Sequence, residues 1–512
     1  MSCHLCTGGY ARLGTLAFRL EPQTLYGSVV GNITDPSGAA VPGATVTLVN
    51  IETGFHREVG TGDSGAYSVP DLQAGRYDVK IVAPSFANVM RQGVAVSNNA
   101  VVRVDVEVQL AATSQNVTVA GSAAVLQTDR ADVHTDIGAK QFQDLPVPGG
   151  RVYQSLFKLI PGFTPPRTQN SLVSNGGEDL VAEVNGTTKS TNNTRIDGAS
   201  NTNIWLPQHS AYVPPIESIE SVNVATNSMD AEQGQAGGAA VNVTIKSGTN
   251  DFHGVGFEYN TDSAIQARNV FYNSPTLPKN IQNQYGGTLG GPIVRNKLFF
   301  FVGDEQTSRR TNVSRLATVP TAAQRAGDFS GLGTVLYDPL TGASDGSGRE
   351  PFANNVIPLQ RQSRVAQQLN SWLPDPTYPS SASNYFSSGN STFDRNSLDA
   401  KVNWNKSDKF TMFGRFSIMN FTDFSPTVFD QASGQAIDTS QQAGPGQGRV
   451  ISTSIGMNYI VSSTFLFDGN VAYTRIAPST YPIQYGQNIG LDVLKIAGTN
   501  GPTQFESGIP EF

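Results

Sequence analysis

The C-terminal half of the chain contains several segments in which apolar and polar side chains alternate. One segment runs from Leu398 to Trp404, with Asp399, Lys401 and Asn403 at the alternate positions. The same pattern occurs at residues 255–260, 410–418, 451–459 and 465–474. A side-chain period of two predicts β-strands with one apolar and one polar face. Transmembrane β-strands have this period, but so do strands that bury one face against protein.

The connections between these segments differ in length. Residues 405–408 and 461–464 are short turns, whereas residues 420–449 form a long connection rich in Gly, Gln and Ser. Outer-membrane barrels have short turns at the periplasmic end and long loops outside the cell. Aromatic residues lie near the strand ends, at Trp404, Phe410, Tyr459, Phe465 and Tyr473. They fit the aromatic girdles of a membrane protein, and they fit an ordinary protein core equally well.

The N-terminal part of the chain has the pattern of a small β-sandwich. Turn signals recur at intervals of about ten residues between residues 26 and 112, for example Asp35-Pro36-Ser37-Gly38 and Gly62-Asp63-Ser64-Gly65. A single strand is predicted to close this unit, because Val102, Val104, Val106, Val108 and Leu110 alternate with polar residues.

The middle of the chain is polar but contains short β-prone segments. The first, at residues 115–121, is either a linker strand or an edge strand that another protein extends by main-chain pairing. Later segments contain Val222 and Val224, and then Val241, Val243 and Ile245, which are predicted to form a small core.

Composition narrows the class of protein. The 512 residues include 34 Lys and Arg against 41 Asp and Glu, for a net charge of -7, and only 15% are charged. The sequence contains no block of basic residues that could bind along the phosphate backbone of a nucleic acid, which argues against a nucleic-acid partner. No run of 18 apolar residues occurs, which excludes a helical membrane protein but not a transmembrane β-barrel. Cys3 and Cys6 are the only cysteines, so the body of the chain has no disulfide scaffold and is compatible with export.

The sequence offers no arrangement suited to catalysis. It has neither a His-Glu-x-x-His motif nor a phosphate-binding Gly-x4-Gly-Lys motif. A Gly-x-Ser-x-Gly match at residues 342–346 lies in a polar loop, without the strand and helix that a nucleophile elbow needs. The histidines are scattered singly, at His4, His56, His134, His209 and His253, and are interpreted as surface or hydrogen-bonded residues. We therefore predict no catalytic residue, no metal and no cofactor.

Specific motifs resemble known families over nearly the whole chain from Gly27 onward. The sandwich motifs, which include Val41-Pro42-Gly43-Ala44-Thr45-Val46 and Asp63-Ser64-Gly65-Ala66-Tyr67, resemble the carboxypeptidase regulatory-like domain, a prealbumin-like sandwich without catalytic residues. Leu145-Pro146-Val147, Arg195-Ile196-Asp197-Gly198-Ala199 and the residues from Gly237 to Asn250 are similar to the plug of TonB-dependent outer-membrane receptors of the Oar-like branch. Phe252-His253-Gly254 and the residues from Asn283 to Ile293 resemble the start of the barrel in the same branch.

The resemblance implies a mainly β protein with a sandwich, a plug and the first part of an antiparallel transmembrane β-barrel. The expected parts are a disordered or misassigned start (1–25), the sandwich (26–112), a linker (113–121), the plug (122–250) and the barrel (251–512). Only about seven or eight of roughly 22 barrel strands can be placed. The chain is therefore expected to be truncated, with a signal peptide upstream and more strands downstream.

The same resemblance implies a receptor in the outer membrane of a Gram-negative-type bacterium, in contact with its lipid. The linker would carry the segment that pairs with the periplasmic protein TonB, which is expected at Asn116, Val117, Thr118, Val119 and Ala120. An unidentified extracellular ligand would bind loops expected within residues 304–396 and would be taken up with energy from the inner membrane. The alternative is a secreted or surface-anchored β-rich protein that binds or adheres to a partner.

Overall fold

The computed structural model describes most of the chain from Tyr26 onward. The described residues are 26–98, 100–110, 116–120, 132–147, 150–229, 233–234, 236–268, 270, 277–429, 443–462 and 465–510. The expectations for residues 1–25, which include both cysteines, lie outside this part of the chain.

The N-terminal strands form two sheets that pack face to face. One sheet has the order β4-β1-β7, with β8 also paired to β1, and the other has the order β3-β2-β5-β6-β9. The strands are β1 (Gly27–Thr34), β2 (Thr45–Asn50), β3 (His56–Gly60), β4 (Ala66–Leu72), β5 (Gly75–Val82), β6 (Asn88–Val96), β7 (Val101–Arg103), β8 (Val106–Glu107) and β9 (Asn116–Ala120). Their inward-facing residues, among them Val29, Leu48 and Val79, are fully buried, as expected for a sandwich core.

The closing strand of the sandwich differs from its prediction. The expected continuous strand is divided into β7 and β8, which pair with β1 on either side of Asp105. The Asp105 side chain accepts a hydrogen bond from the main-chain nitrogen of Asn32 at 2.8 Å in place of the ladder. Val102 to Val108 still alternate into the core, but Leu110 is exposed. The alternation of apolar residues cannot predict this break, because it does not show that a polar side chain will accept a main-chain hydrogen bond.

A polar five-stranded sheet follows, in the order β10-β15-β16-β13-β14. The strands of this region are β10 (Val133–Gly138), β11 (Arg167–Thr168), β12 (Leu180–Val181), β13 (Asn193–Ile196), β14 (Ala199–Ser200), β15 (Ile219–Asn227) and β16 (Ala240–Ile245). Helix α1 (Ala139–Asp144) and the 3-10 turns Tyr153–Leu159, Lys189–Thr191 and Ile216–Ser218 cover the sheet. The predicted core residues Val222, Val224, Val241, Val243 and Ile245 are all buried. We refer to this region as the plug.

Seven long strands form one antiparallel sheet in chain order. They are β17 (His253–Asp262), β18 (Asn280–Val294), β19 (Leu298–Ala317), β20 (Tyr385–Ser407), β21 (Phe410–Ser425), β22 (Gly444–Ser462) and β23 (Phe465–Thr480). The short links from β18 to β19, from β20 to β21 and from β22 to β23 share one end of the sheet, and the long connections between the other neighbouring strands share the opposite end. This alternation confirms the predicted division between short and long connections.

Two loop boundaries were predicted wrongly. Residues 304–317 and 385–396 belong to β19 and β20, so the connection between these strands is limited to residues 318–384. Likewise β21 and β22 extend beyond the apolar alternation, to Ser425 and from Gly444. The strands continue because their main chains stay paired, although the regular alternation of apolar and polar residues is lost there and Phe393, Met419 and Phe421 face inward. Outside the bilayer a strand does not need an apolar face.

The longest connection, residues 318–384, carries helices α2 (Ala322–Arg325) and α3 (Arg364–Trp372) and the 3-10 turns Ala353–Asn355 and Leu359–Arg361. A π turn (Ile489–Val493) and a 3-10 turn (Gln504–Glu506) follow β23. Among the described residues, every helix is too short or too polar to cross a membrane.

The barrel sheet is apolar on its outer face, whereas its inner face combines charged and amide residues with the buried rings of Phe299, Phe301 and Phe413. On β20 the inward residues Asp399, Lys401 and Asn403 are buried against the plug, whereas Val402 and Trp404 are 42% and 39% exposed. The same holds on β21, β22 and β23, where the outward residues include Phe416, Ile455, Met457, Val471 and Tyr473. An apolar exterior around a polar interior is the arrangement of a transmembrane barrel and the reverse of a soluble one.

Strand β17 departs from this rule. Its alternating residues Val255, Phe257 and Tyr259 share a face with Gln284 of β18, which donates to a plug carbonyl. Tyr259 itself donates to the plug residue Glu217 at 3.3 Å. The apolar residues of this strand therefore point to the plug and not to the exterior. Its alternation predicts a strand correctly, but period alone does not say which face is outside.

Candidate functional site

The tip of a plug hairpin projects against the barrel wall. In the antiparallel pair of β13 and β14, Ile196 lies opposite Ala199, which leaves Asp197 and Gly198 as a two-residue turn. Both turn residues have positive φ, 44° for Asp197 and 75° for Gly198. Asp-Gly suits this type I′ geometry, because Asp tolerates the left-handed region and Gly has no Cβ. The turn places the Asp197 carboxylate at the contact with β20 and β21.

This carboxylate is buried between two cations of the barrel. Lys401 Nζ lies 2.9 Å from Asp197 Oδ1, and Arg415 Nε lies 3.5 Å from Oδ2. All three side chains are at most 5% exposed. Lys401 also donates to the carbonyl of Ile245 at 2.9 Å, and Arg415 donates to Ser452 Oγ at 3.0 Å. The two cations are thus held by the plug and by the barrel together.

A second carboxylate continues this network into the plug. Asp399 Oδ1 accepts from Ser417 Oγ at 2.6 Å and from the Tyr212 hydroxyl at 3.0 Å. Ser417 in turn accepts from Arg415 at 2.7 Å. Asp197 and Tyr212 of the plug are therefore joined through Arg415, Ser417 and Asp399 of the barrel in one continuous buried chain.

Two further ion clusters attach the plug nearer the long-loop end of the sheet. Glu178 pairs with Arg309 and, at 3.5 Å, with Arg395, which also donates to the carbonyl of Gly177 at 3.1 Å. Glu217 pairs with Arg151 within the plug at 2.7 Å, and this pair contacts β17 through Tyr259, whose ring centroid lies 3.5 Å from the Arg151 guanidinium. Polar contacts thus fix the plug to strands at both sides of the sheet.

Sequence reasoning did not find these ion pairs. It placed Asp399, Lys401 and Arg415 on the polar face of their strands, and it noted Asp197 only as part of a family motif. Partners separated by 204 positions in the chain, as Lys401 and Asp197 are, leave no local signal. The available signal was the presence of charged residues at inward positions of the barrel strands, where each needs a partner of opposite charge.

His209 is a buried, hydrogen-bonded histidine of the plug. Its Nδ1 lies 3.0 Å from Asp179 Oδ2, and its Nε2 lies 2.9 Å from Asn170 Oδ1. Burial raises the pKa of Asp179 above its ordinary value, and the hydrogen bond from His209 opposes this rise. Both hydrogen-bond partners of His209 are plug residues, and a small cavity of about 30 Å³ adjoins the pair.

The segment predicted to contact TonB lies on the sandwich. Strand β9 (Asn116–Ala120) pairs in parallel with β6, from Asn88 opposite Asn116 to Gln92 opposite Ala120. It is the last strand of its sheet, and no strand within the described ranges pairs with its other side. An edge strand offers unpaired main-chain donors and acceptors to a partner strand. The position is that of an edge strand, and the partner remains a prediction.

The sandwich contacts the short-turn end of the barrel sheet and the plug. Arg57 Nη2 donates to Asn458 Oδ1 of β22 at 3.1 Å. Gln73 Nε2 donates to Asn405 Oδ1 of β20 at 3.2 Å. Asn98 Nδ2 donates to the plug residue Thr244 at 2.6 Å. The sandwich therefore lies across the end of the lumen opposite the long loops.

A polar cavity of about 480 Å³ lies where sandwich, plug and barrel meet. Its lining includes both members of the buried pair Asp197 and Lys401, as well as Glu220 and Lys246. The Tyr26 hydroxyl, which also lines it, is buried without a hydrogen-bond partner among the described residues. This size and polarity suit a chamber that holds ordered water.

The features linked to catalysis or metal binding stay separate in space. The Gly-x-Ser-x-Gly match occupies an exposed turn in the connection 318–384, where the Ser344 side chain faces solvent. Within the described residues, no group of three or more His, Cys, Asp or Glu side chains could hold a metal ion.

These features define a class: an open seven-stranded part of a barrel, whose outer face is apolar and whose inner face holds a plug. Residues 244–512, more than half of the chain, match the outer membrane beta barrel domain family, and the chain belongs to that family. Residues 28–109 match the carboxypeptidase regulatory-like domain. The chain is thus an outer-membrane protein with the architecture of a TonB-dependent receptor that has an N-terminal regulatory-like domain, as its sequence predicted.

Relatives and solved structures share parts of this architecture. The TonB-dependent transporter Oar of Myxococcus xanthus is 27% identical over 305 residues, which cover 57% of this chain and 27% of that protein. The chain therefore spans about a quarter of the length of this curated relative. The outer membrane transporter YddB from Escherichia coli is 14% identical, with a TM-score of 0.43, over 69% of this chain and 40% of that one. The ferric enterobactin receptor of Pseudomonas aeruginosa is 13% identical, with a TM-score of 0.38, over 70% and 42%.

Proposed function

We propose that the chain is part of a TonB-dependent transporter that takes up an unidentified extracellular ligand with energy from the inner membrane. The observation that carries this proposal is a plug held by ion pairs inside a sheet that is apolar on its outer face. Ion pairs and hydrogen bonds can be exchanged for contacts with water when the plug moves. The plug also packs against buried apolar residues of the barrel, among them Phe393 and Phe421, so its movement has to separate this apolar contact as well.

TonB is proposed to pair with the free edge of β9, through Asn116, Val117, Thr118, Val119 and Ala120. Main-chain pairing needs an extended segment with one open side, and β9 has that geometry. We further propose the division of the chain at residues 26–112, 113–121, 122–250 and 251–512. In this division β9 lies in the segment that joins the sandwich to the plug, and it also pairs with β6 as the edge strand of one sandwich sheet.

A pull on β9 would reach the plug at β10, the next strand in the chain. β10 is an edge strand of the plug sheet and pairs only with β15 within the described residues. Its removal leaves the order β15-β16-β13-β14 intact. The force would therefore first detach one strand, and the buried pair at Asp197 would hold the remaining sheet against the barrel.

The ligand is proposed to bind at the end of the barrel remote from the sandwich. The long connections 263–279, 318–384 and 426–443 share that end, and loops there face the outside of the cell in this class of barrel. The connection 318–384 is the longest, and its Val319 packs with Val428 and Phe429 of the connection 426–443 in a small apolar cluster. It is therefore the leading candidate for ligand contact.

Site-directed disulfide formation tests the TonB contact. The chain without Cys3 and Cys6 has no other thiol, so Val117→Cys introduces a single reactive position. We expect cross-linking to single-cysteine variants of the TonB C-terminal domain, with yields that vary along the TonB strand. The matched control is Ser37→Cys, in an exposed turn of the same sandwich. Equal yields from both positions would refute strand pairing at β9.

Cell fractionation tests the alternative of a secreted binding or adhesion protein. The exposed apolar residues of β20 to β23 favour the membrane-embedded receptor, because a freely soluble protein would expose them to water. We expect the chain in the outer-membrane fraction, resistant to extraction with salt. Recovery as a freely soluble monomer would support the alternative.

A further inference from the structure

Four cationic side chains lie on two neighbouring turns at the short-turn end of the barrel. They are Arg295 and Lys297 between β18 and β19, and Lys406 and Lys409 at the turn between β20 and β21. The turns touch, since the main-chain nitrogen of Asn405 donates to the carbonyl of Lys297 at 2.7 Å. All four side chains are exposed. We call these four residues the basic rim.

The basic rim has no acidic partner among the described residues. None of its four side chains forms an ion pair there, whereas Arg310 at the opposite end pairs with Asp394 at 2.9 Å. Asp408 lies between Lys406 and Lys409 in the sequence and offsets one of the four charges without forming an ion pair with any described residue, so the two turns keep an excess of positive charge in a chain whose net charge is -7. Unpaired cations at neighbouring positions repel one another unless an anion lies between them.

An aromatic cluster lies directly beside the basic rim on the outer face. The ring centroids of Trp404 and Phe410 are 5.9 Å apart, as are those of Phe410 and Tyr459. Lys406 Nζ lies 5.7 Å from the Trp404 ring and 5.8 Å from the Phe410 ring. Trp404 and Tyr459 are 39% and 44% exposed. Aromatic rings in such positions mark the boundary between hydrocarbon and headgroups.

The fold fixes the depth of this patch in the membrane. Farther along the same strands the outward residues are apolar, among them Val402, Phe416 and Ile455. The sandwich contacts the same end of the sheet at Asn405 and Asn458, on the inner side. The basic rim is therefore at the level of the headgroups of the periplasmic leaflet, and the sandwich approaches it at Asn296, which lies beside Gly54.

We propose that the basic rim and its aromatic cluster bind the phosphate headgroup of an anionic phospholipid of the periplasmic leaflet. The cations supply the charge that the phosphate needs, and Trp404, Phe410 and Tyr459 contact the glycerol and upper acyl region. Bound lipid would fix the two turns on which the sandwich rests, since Asn405 contributes to both contacts.

Quenching of a single tryptophan tests this site in the full chain. The chain has three tryptophans, so Trp205→Phe with Trp372→Phe leaves Trp404 as the only one. The protein is reconstituted in phosphatidylethanolamine vesicles that contain brominated phosphatidylglycerol or brominated phosphatidylcholine. We expect stronger quenching by the anionic lipid, equivalent to roughly a tenfold preference, because each cation near the surface adds attraction. Equal quenching by both lipids would overturn the proposal.

Matched variants separate charge from folding. Replacing all four rim residues by Gln is expected to abolish the preference, and Lys→Arg at positions 297, 406 and 409 is expected to keep it. Should the Gln variant fail to assemble, high salt applied to the unsubstituted rim must remove the preference. Inorganic phosphate is expected to change the quenching no more than sodium chloride does at the same ionic strength, because phosphate lacks the acyl chains. Displacement by phosphate alone would assign the patch to a soluble anion and contradict the lipid site.

Discussion

Neutralising Asp197 should loosen the plug at its contact with β20 and β21. Asp197→Asn keeps the turn, because Asn also tolerates the left-handed φ of 44° found here. It removes the only carboxylate shown within 4.0 Å of Lys401 and Arg415 in the described chain. Breaking a buried pair by removing one partner destabilises by about 3–5 kcal/mol when the remaining charge has no other partner.

The expected destabilisation is smaller here, because both cations keep other polar partners. Lys401 keeps the Ile245 carbonyl at 2.9 Å, and Arg415 keeps its hydrogen bonds to Ser417 and Ser452. The adjacent polar cavity also gives Lys401 access to water. We therefore expect a loss of about 1.5–3 kcal/mol in the local stability of the β13–β14 hairpin. The amide hydrogens of Ile196 and Ala199 should then exchange roughly 10- to 100-fold faster.

Hydrogen exchange of the reconstituted protein, read by mass spectrometry on peptides that span residues 193–200, measures this effect. The matched control is Asp394→Asn, which breaks the ion pair with Arg310 at a similar distance but with side chains 47% and 45% exposed. An exposed pair contributes about 0–1 kcal/mol, so exchange there should hardly change. The reasoning fails if both variants behave alike, or if Asp197→Asn with Lys401→Met is no less destabilised than the sum of the single changes.

Three further predictions follow from single positions. Gly176→Leu should lower the thermal unfolding temperature of the folded barrel, because an added Cβ lies 2.2 Å from the Phe421 ring, whereas Gly414→Leu has open space and should not. Asp71→Asn should stabilise the docked sandwich at neutral pH, because burial raises the pKa of Asp71 above its ordinary 3.8 and stability is lost as pH rises through the raised value. Ile455→Arg, on the outer face, should reduce assembly into membranes by about 2–4 kcal/mol, measured by urea unfolding in lipid.

Each of these has an outcome that would contradict it. Equal unfolding temperatures for the two glycine variants would mean that the plug does not pack against Phe421 in the membrane. A pH profile of sandwich stability unchanged by Asp71→Asn would show that this carboxyl group is hydrated. Normal assembly of the Ile455→Arg variant would place the outer face of β22 in water.

Part of the fold was accessible from the sequence because β-strands expose their faces with a period of two. The alternation from Leu398 to Trp404 predicted both a strand and its polar set, and the structure places Asp399, Lys401 and Asn403 together on the lumen side. The spacing of turns predicted the sandwich, and the length of connections predicted which end carries loops. These are local properties, and a chain shows them without folding.

Other features depend on which segments meet. The apolar residues of β17 face the plug because Tyr259 reaches Glu217, and nothing within residues 255–260 encodes that choice. The sequence of Asn116–Ala120 predicts a strand but not its partner, which is β6, more than twenty residues earlier in the chain.

The sequence by itself determined the strands, their polar and apolar faces and the family to which they belong. Only the tertiary structure decided that Asp197 lies between Lys401 and Arg415, and that the sandwich rests on the turns of the barrel. The physical reason is that periodicity acts between neighbours in the chain. Charge pairing and docking act through space, between residues hundreds of positions apart, and are fixed only when the whole chain is folded.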